Sequence, residues 1–123
     1  MASSNHNAIE DNMVAFNYLW GMGFSGSRFN TVTGNTIKYT FSPFWTGAGF
    51  ELYGDTEDNI IYHNNFLYNR PMNAWDDGQN IWDNGCEGNY WWEYTGEDVT
   101  ETESATLHMV ANVRDCSWKM TIP

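Results

Sequence analysis

A short phrase anchored by two asparagines occurs three times in the first half of this chain. The copies occupy residues 7–14, 30–37 and 59–66, and each reads N-x-[IV]-x-x-N-x-[VIF]. The second copy begins 23 residues after the first, and the third begins 29 residues after the second. Repeats of this length form stacked units, in which each unit buries its apolar face against its neighbours. The chain is therefore expected to fold as a solenoid with a long side wall.

The apolar positions within each copy predict strands. Val32 and Ile37 flank Asn35, and the other two copies repeat this arrangement in short segments punctuated by Gly and Asn. No sustained helical periodicity is present. We predict an all-β fold: a short right-handed parallel β-helix of about three coils over residues 1–72, an aromatic C-terminal cap over 73–97 and an irregular tail over 98–123.

Stacking the copies places the repeated asparagines above one another at the turns between strands. Neighbouring strands lie about 4.8 Å apart, so each amide can donate to and accept from the identical amide in the next coil. Asn also tolerates the left-handed conformation that a sharp corner requires. A structural ladder is therefore predicted for Asn7, Asn12, Asn30, Asn35, Asn59 and Asn64.

An insertion separates the second and third copies, whose interval is longer than the first. The extra length is expected within residues 39–49, a stretch that contains Pro43 and Trp45. Insertions in a solenoid emerge as loops on one face, often the binding face. The segment is either a ligand-binding loop or an apolar flap over a neighbouring coil.

Residues 73–97 break the repeat and hold four of the seven tryptophans. The open end of a solenoid exposes strand edges and apolar interior, so it needs a cap, and aromatic side chains cover much area while keeping a polar handle. The same rings can stack on sugars, and one or two of them could serve both roles. The candidate carbohydrate-stacking residues are Trp45, Trp75, Trp82, Trp91 and Trp92.

The coils resemble the right-handed parallel β-helix repeats of NosD-like proteins. This family is also described as carbohydrate-binding and sugar-hydrolase repeat domains of archaeal and bacterial surface proteins. Beyond the coils, the resemblance rests on the runs IIYHNNF, AWDDG, IWDNG and GNYW, and it covers about residues 3–97. It implies an extracellular, cell-surface or periplasmic location, and copper or Ca²⁺ in parent proteins of the family. It does not imply one activity, because family members differ in role.

Residues 98–123 depart from that pattern, in which an acidic D-x-D-G-D-G-I-G-D-T-P-Y phrase is usual at this point. When the degenerate codons of this segment are read one nucleotide earlier, they permit both this family's G-x-G-D-T-P-Y and a D-N-Y-P-like phrase. We therefore expect the tail to derive from a frameshift and the chain to be a C-terminal fragment of a longer protein. A metal site built on His108 and Cys116 is not expected.

The charge and the residue types argue against several classes of partner and site. The formal net charge is −11, with Lys and Arg numbering 5 against 16 acids, which disfavours nucleic acid as a partner. No run approaches the roughly 18 apolar residues of a membrane span. His6 and His63 lack closely spaced Met or Cys partners, so no copper site is predicted. Adjacent carboxylates such as Asp76 and Asp77 are more typical of turns than of a catalytic pair.

We therefore predict a non-catalytic extracellular module that binds carbohydrate or contributes to cell-surface structure, without a cofactor. Its expected partners are a polysaccharide or surface glycan and, at the open β-helix edge, another copy of the chain. The alternatives are a polysaccharide lyase or hydrolase fragment and a NosD-like periplasmic copper-binding protein. Cys86 and Cys116 either form one disulfide or remain free.

Overall fold

The structure, a computed structural model, describes residues 1–92, and all regular elements within them are β-strands. The predicted tail, the last residues of the predicted cap and Cys116 lie outside the described residues, whereas Cys86 is described and is not a free thiol. Among residues 1–92 there is no helix with the length and hydropathy to cross a membrane. The strands are β1 (Ala8–Glu10), β2 (Met13–Ala15), β3 (Trp20–Ser25), β4 (Thr31–Thr33), β5 (Thr36–Lys38), β6 (Ala48–Tyr53), β7 (Glu57–Tyr62), β8 (Asn65–Leu67), β9 (Met72–Asp76), β10 (Gln79–Ile81) and β11 (Tyr90–Trp91).

The strands form three parallel sheets, ordered β1-β4-β7-β10, β2-β5-β8-β11 and β3-β6-β9. Each coil contributes one strand to each sheet, so the chain winds as a parallel β-solenoid of about three turns. The repeats stack in register: Val32 pairs with Ile9 in the preceding coil and with Ile61 in the next. The predicted all-β solenoid is confirmed.

The core is a column of apolar side chains that point into the coils. Val32, Ile37, Ile61 and Phe66 are fully buried, and the third sheet adds three further residues, Phe24, Phe50 and Leu52. Burying each such side chain contributes about 1.5–3 kcal/mol. The repeated [IV] and [VIF] positions of the sequence therefore supply one face of the core, and β3 and β6 supply the other.

The corners of the coils bend at the residue that precedes each asparagine. The left-handed backbone conformation occurs at Phe29 and Asp58, for example, and not at Asn30 or Asn59. The prediction that the ladder asparagines themselves adopt this conformation is wrong. The Asn side chain has to point inward to reach the next coil, so the residue before it, which points outward, makes the turn. The residues with this conformation at the three corners are His6, Phe29 and Asp58; Asp11, Gly34 and His63; Phe16, Tyr39 and Tyr68.

Buried amides connect the coils at these corners. The side-chain oxygen of Asn35 accepts hydrogen bonds from the backbone N–H (2.9 Å) and the side-chain amide (3.0 Å) of Asn12. Asn35 donates in the same way to Asn64, both at 2.9 Å. Two columns follow this pattern and extend beyond the three sequence copies, Asn7–Asn30–Asn59–Asn80 and Asn12–Asn35–Asn64–Asn89.

The registers locate the insertion. Tyr18 pairs with Phe41, an interval of 23 residues, whereas Trp20 pairs with Ala48, an interval of 28. Five additional residues therefore lie within 42–47, between β5 and β6, and we call this segment the insertion loop. A sixth lies after β6, because Arg28 pairs with Glu57 at an interval of 29. The loop emerges where the second sheet gives way to the third.

Candidate functional site

The outer face of the β3-β6-β9 sheet carries a groove. Its floor is a row of neighbours in register, Gly23 on β3, Glu51 on β6 and Trp75 on β9. A Cβ atom added at Gly23 would meet only a backbone oxygen, at 3.8 Å, so this position opens to space. Alternation along the strands sends the intervening residues Phe24, Phe50 and Leu52 into the core. The absence of a side chain at residue 23 leaves the groove open above the first strand.

The insertion loop forms one wall of the groove. Trp45, Thr46, Glu51, Met72 and Trp75 line a depression of about 200 Å³ between β6, β9 and the loop. Trp45 is 88% exposed and Trp75 is 49% exposed. The two tryptophans therefore present large ring areas to solvent in the same depression as the Glu51 side chain.

Local contacts hold the loop in place. The indole N–H of Trp20 donates to the Thr46 carbonyl oxygen at 3.3 Å. The Ser42 hydroxyl accepts from the Phe44 N–H at 3.1 Å and closes the first turn of the loop. A Cβ at Gly47 would collide with Ser42, so only glycine fits at the end of the loop. The wall that carries Trp45 is thus anchored at both ends.

A second depression of about 530 Å³ continues the groove towards the first coil. Met1, Trp20, Gly23, Glu51 and Tyr53 line it. The N-terminal ammonium of Met1 donates to the Gly23 carbonyl oxygen at its margin, at 2.6 Å. Because Glu51 lines both depressions, they form one continuous groove across three strands, about 10 Å from the first strand to the third.

Glu51 is the carboxylate at the centre of this groove. Partial burial, and secondly the negative charge of Asp77, raise the pKa of the Glu51 carboxyl group above its ordinary value. Asp77 directly follows β9, and its backbone N–H donates to the Leu52 carbonyl oxygen at 3.1 Å. The groove therefore combines two free aromatic faces with one partly desolvated acid.

The exposed rings elsewhere on the solenoid are arranged differently. Phe16, Tyr39 and Tyr68 stack along one corner with centroid distances of 5.1 and 5.4 Å, and Trp92 packs on Tyr68 at 4.5 Å. Tyr39 and Tyr68, inside this stack, each have ring neighbours on two sides, whereas Phe16 at its end is 78% exposed. By contrast, Trp45 stacks on no other ring among residues 1–92. A flat ligand thus finds two exposed indoles together in the groove.

The structure divides the five candidate tryptophans into three groups. Trp45 and Trp75 meet in the groove. Trp82 and Trp91 pack against the core: Trp82 lies 6.0 Å from Phe50 and donates from its indole N–H to Asp76 at 2.8 Å, and Trp91 stacks on a core phenylalanine. Trp92 belongs to the stacked corner. The sequence does not separate these groups, because all five residues are tryptophans outside the repeated phrases and nothing in their spacing distinguishes a core position from a surface position.

Three aromatic or acidic residues of the groove were not among the sequence candidates: Trp20, Glu51 and Tyr53. Their signal is weak, since each is a single aromatic or acid in a strand with no repeat to mark it. Gly23, which aligns with Glu51, is the clearest hint, because a glycine on an outer face leaves room for a ligand. The alignment requires the registry shift caused by the insertion, which the sequence alone locates only approximately.

The two histidines within residues 1–92 do not belong to a metal-binding cluster. His63 lies at a corner with its Nε2 atom 3.5 Å from the carboxylate of the fully buried Glu87, and burial lowers the pKa of His63. His6 stacks on Phe29 with centroids 5.2 Å apart. Within the described 92 residues, no three His, Cys, Asp or Glu side chains are placed to hold a metal ion.

Comparison with protein families shows which family the chain belongs to. The family model described as periplasmic copper-binding protein (NosD) matches residues 1–96. The chain belongs to the NosD family. No curated protein and no solved structure matches it. The resemblance of the asparagine-anchored coils to NosD-like repeats is thereby confirmed, and the family is a periplasmic one.

The family is described as copper-binding, but the described residues do not fit a copper site. Copper sites use clustered His, Met or Cys ligands. Here one histidine is stacked on a phenyl ring, the other lies beside a buried carboxylate, and the methionine that lines the smaller depression, Met72, has no histidine among its neighbours in that lining. For the part of this NosD-family chain that the structure describes, the groove offers aromatic faces and oxygen atoms instead.

Proposed function

We propose that this NosD-family chain is a non-catalytic β-helix module that binds carbohydrate outside the cytoplasm, in the periplasm or at the cell surface. The observation that carries the proposal is the pair of exposed indoles, Trp45 and Trp75, that line one depression together with Glu51. Concave sites lined by aromatic residues with a few polar groups are ordinary small-molecule sites. A pyranose ring offers apolar C–H faces to the indoles and hydroxyl groups to the carboxylate.

The dimensions of the groove favour a short stretch of a polymer over a single small molecule. The groove crosses three strands and is open along its length, with Trp20 and Tyr53 at the end opposite Trp75. An open groove lets a chain of sugars pass through, whereas a closed pocket would exclude it. The anchored insertion loop keeps Trp45 in position before binding, which lowers the ordering cost of association.

The test is isothermal titration of the full chain with a panel of neutral oligosaccharides, namely hexamers of glucose, xylose and N-acetylglucosamine. Trp45→Ala and Trp75→Ala should each weaken binding of the preferred hexamer at least about tenfold, which is 1.4 kcal/mol. Trp92→Ala, a tryptophan outside the groove, is the matched control and should bind as the unmodified chain does. Equal affinities for all four proteins would overturn the proposal.

The same mixtures also test the alternative of polysaccharide cleavage. New reducing ends after incubation would indicate hydrolysis, and absorbance of an unsaturated product would indicate a lyase. A binding module produces neither. Loss of such a signal in Glu51→Gln would assign the activity to the groove.

A structural contribution is favoured by a separate observation at the first coil. In both ladders the side-chain oxygen of each inner asparagine accepts from the coil before it. The side-chain oxygens of Asn7 and Asn12 accept no hydrogen bond from the described residues, so the first coil presents a ready acceptor row. We propose that this edge pairs with a second copy of the chain, since an exposed strand edge is a template for pairing.

A further inference from the structure

The charge of the groove limits which carbohydrates it can hold. Its smaller depression contains no cationic side chain, and its one ionisable side chain is Glu51. The three Lys and Arg residues within positions 1–92 lie elsewhere: Arg28 pairs with Glu57 at 3.4 Å, Lys38 lies over the Tyr39 ring, and Arg70 follows the stacked corner. In the smaller depression, uronic acids and sulfated sugars would bring like charge beside Glu51, where the lining has no cationic side chain.

A protonated amine meets complementary groups at the same place. An ammonium between Trp45 and Trp75 can donate a charge-assisted hydrogen bond to the Glu51 carboxylate. The indole faces attract a cation as well, by about 0.5–2 kcal/mol for each contact. The cation also offsets the repulsion between Glu51 and Asp77, which stands unrelieved by any side chain lining the smaller depression. Trp45, Trp75 and Glu51 together supply the groups that an ammonium ion needs, namely two aromatic rings and one carboxylate.

A neutral sugar uses only part of this chemistry. Its hydroxyl groups can hydrogen-bond to Glu51, but they do not neutralise a carboxylate that is partly removed from water. The largest part of the energetic difference between a neutral sugar and a protonated amino sugar therefore falls on Glu51, and the indole faces add the smaller part.

We propose that the groove selects glycans with free, protonated amino groups, such as polymers of glucosamine, and that Glu51 determines this preference. The inference rests on the proposed carbohydrate-binding function and adds the substrate class. It concerns only the smaller depression, which Trp45 and Trp75 both line. The Met1 ammonium lies at the margin of the other depression, away from these two rings.

The experiment compares glucosamine hexamer with N-acetylglucosamine hexamer, which differs only in the acetyl group that removes the charge. Binding to the full chain is measured by isothermal titration slightly below neutral pH, where the amine is protonated. We expect glucosamine hexamer to bind at least about tenfold more tightly. Glu51→Gln should remove this preference while neutral hexamer still binds.

Net charge requires a control, because a chain of charge −11 attracts any polycation. Glu10→Gln makes the same charge change at an exposed position on β1, outside the groove. It should retain the preference for the amine. If Glu10→Gln and Glu51→Gln reduce it equally, the attraction is a long-range field and the inference is overturned.

The remaining outcomes separate the two proposals. Equal affinity for both hexamers, lost in Trp45→Ala, overturns the amine preference and leaves carbohydrate binding intact. A preference that persists unchanged in Glu51→Gln overturns the role of Glu51. Binding of neither hexamer, nor of any member of the neutral panel, overturns both.

Discussion

At the scale of single residues, the asparagines of the ladder have a role that their spacing in the sequence predicts and a geometry that it does not. Periodicity places them on one line along the solenoid because the offset of each copy equals one coil. It cannot show that the preceding residue takes the left-handed turn, since bulky aromatic residues such as Phe16, Phe29 and Tyr68 rarely adopt that conformation. The Asn side chain faces inward, and the residue before it adopts the left-handed conformation that bends the chain.

The ladder predicts a large loss of stability on substitution of Asn35. Asn35→Ala removes an acceptor for two Asn12 groups and donors to the carbonyl oxygens of Ile9 and Thr33. Leaving several buried polar groups unsatisfied should lower the free energy of unfolding by about 2–4 kcal/mol in urea denaturation. Asn17→Ala is the matched control. Asn17 makes a single weak hydrogen bond, to Ala15 at 3.3 Å, so its loss should cost less than about 1 kcal/mol.

Glu51 predicts a pH dependence of stability. Its pKa is raised in the folded chain, so the folded state holds the proton more tightly than the unfolded state does. The corresponding stability is fully present below the ordinary value, near pH 4, and is lost as the pH rises through the higher folded value. Glu51→Gln should therefore be more stable than the unmodified chain at neutral pH.

Thermal unfolding of the two proteins at acidic and at neutral pH measures this effect. The difference should disappear at the acidic end. The control variant Glu10→Gln, exposed on β1, should change stability by less than about 0.5 kcal/mol at either pH. A Glu51→Gln variant that is less stable at neutral pH would show that the ionised carboxylate has a stabilising partner.

At the scale of elements, the insertion loop makes the groove. The connections from the second sheet to the third are four residues long in the first and third coils, at positions 16–19 and 68–71, and nine residues long in the second, at 39–47. Unequal repeat spacing in the sequence reveals that something is inserted. Its neighbours across the groove, Glu51 and Trp75, follow only from the register of β3, β6 and β9. The sequence therefore identifies the loop and the structure identifies the site.

Deletion of residues 43–47 tests the loop as an element. The shortened connection has the same length as those of the adjacent coils, so the solenoid should still fold, with a midpoint of thermal unfolding within a few degrees of the original. Affinity for the preferred glycan should fall at least as far as in Trp45→Ala. Full retention of binding would mean that the loop is a flap and that the ligand binds elsewhere.

At the scale of the whole molecule, the chain is a short stack with one face specialised and one edge open. Repeat length, asparagine spacing and apolar periodicity together predict the parallel solenoid, because each coil depends on the next for its core. They do not predict which side wall binds, since the deciding contacts join residues from different coils. The core position of Trp82 and Trp91 shows the same limit: the repeat ends in the sequence, whereas the ladder continues through Asn80 and Asn89.

The open edge predicts stability that depends on concentration. If a second copy pairs with the first coil, the midpoint of thermal unfolding should rise with protein concentration, because association stabilises the folded state by mass action. Sedimentation velocity at the same concentrations should show a dimer that dissociates on dilution. A single monomeric species with a constant midpoint would contradict pairing at this edge.

The central claim is that the groove of the β3-β6-β9 sheet is the glycan site, and the indole N–H spectrum tests it most directly. The chain has 7 tryptophans, so ¹⁵N-labelled protein gives one indole signal for each, assigned with single Trp→Phe variants. Addition of glucosamine hexamer should shift the signals of Trp20, Trp45 and Trp75 and leave those of Trp82 and Trp91 in place. Shifts confined to tryptophans outside the groove, or no shift at saturating hexamer, would contradict the account.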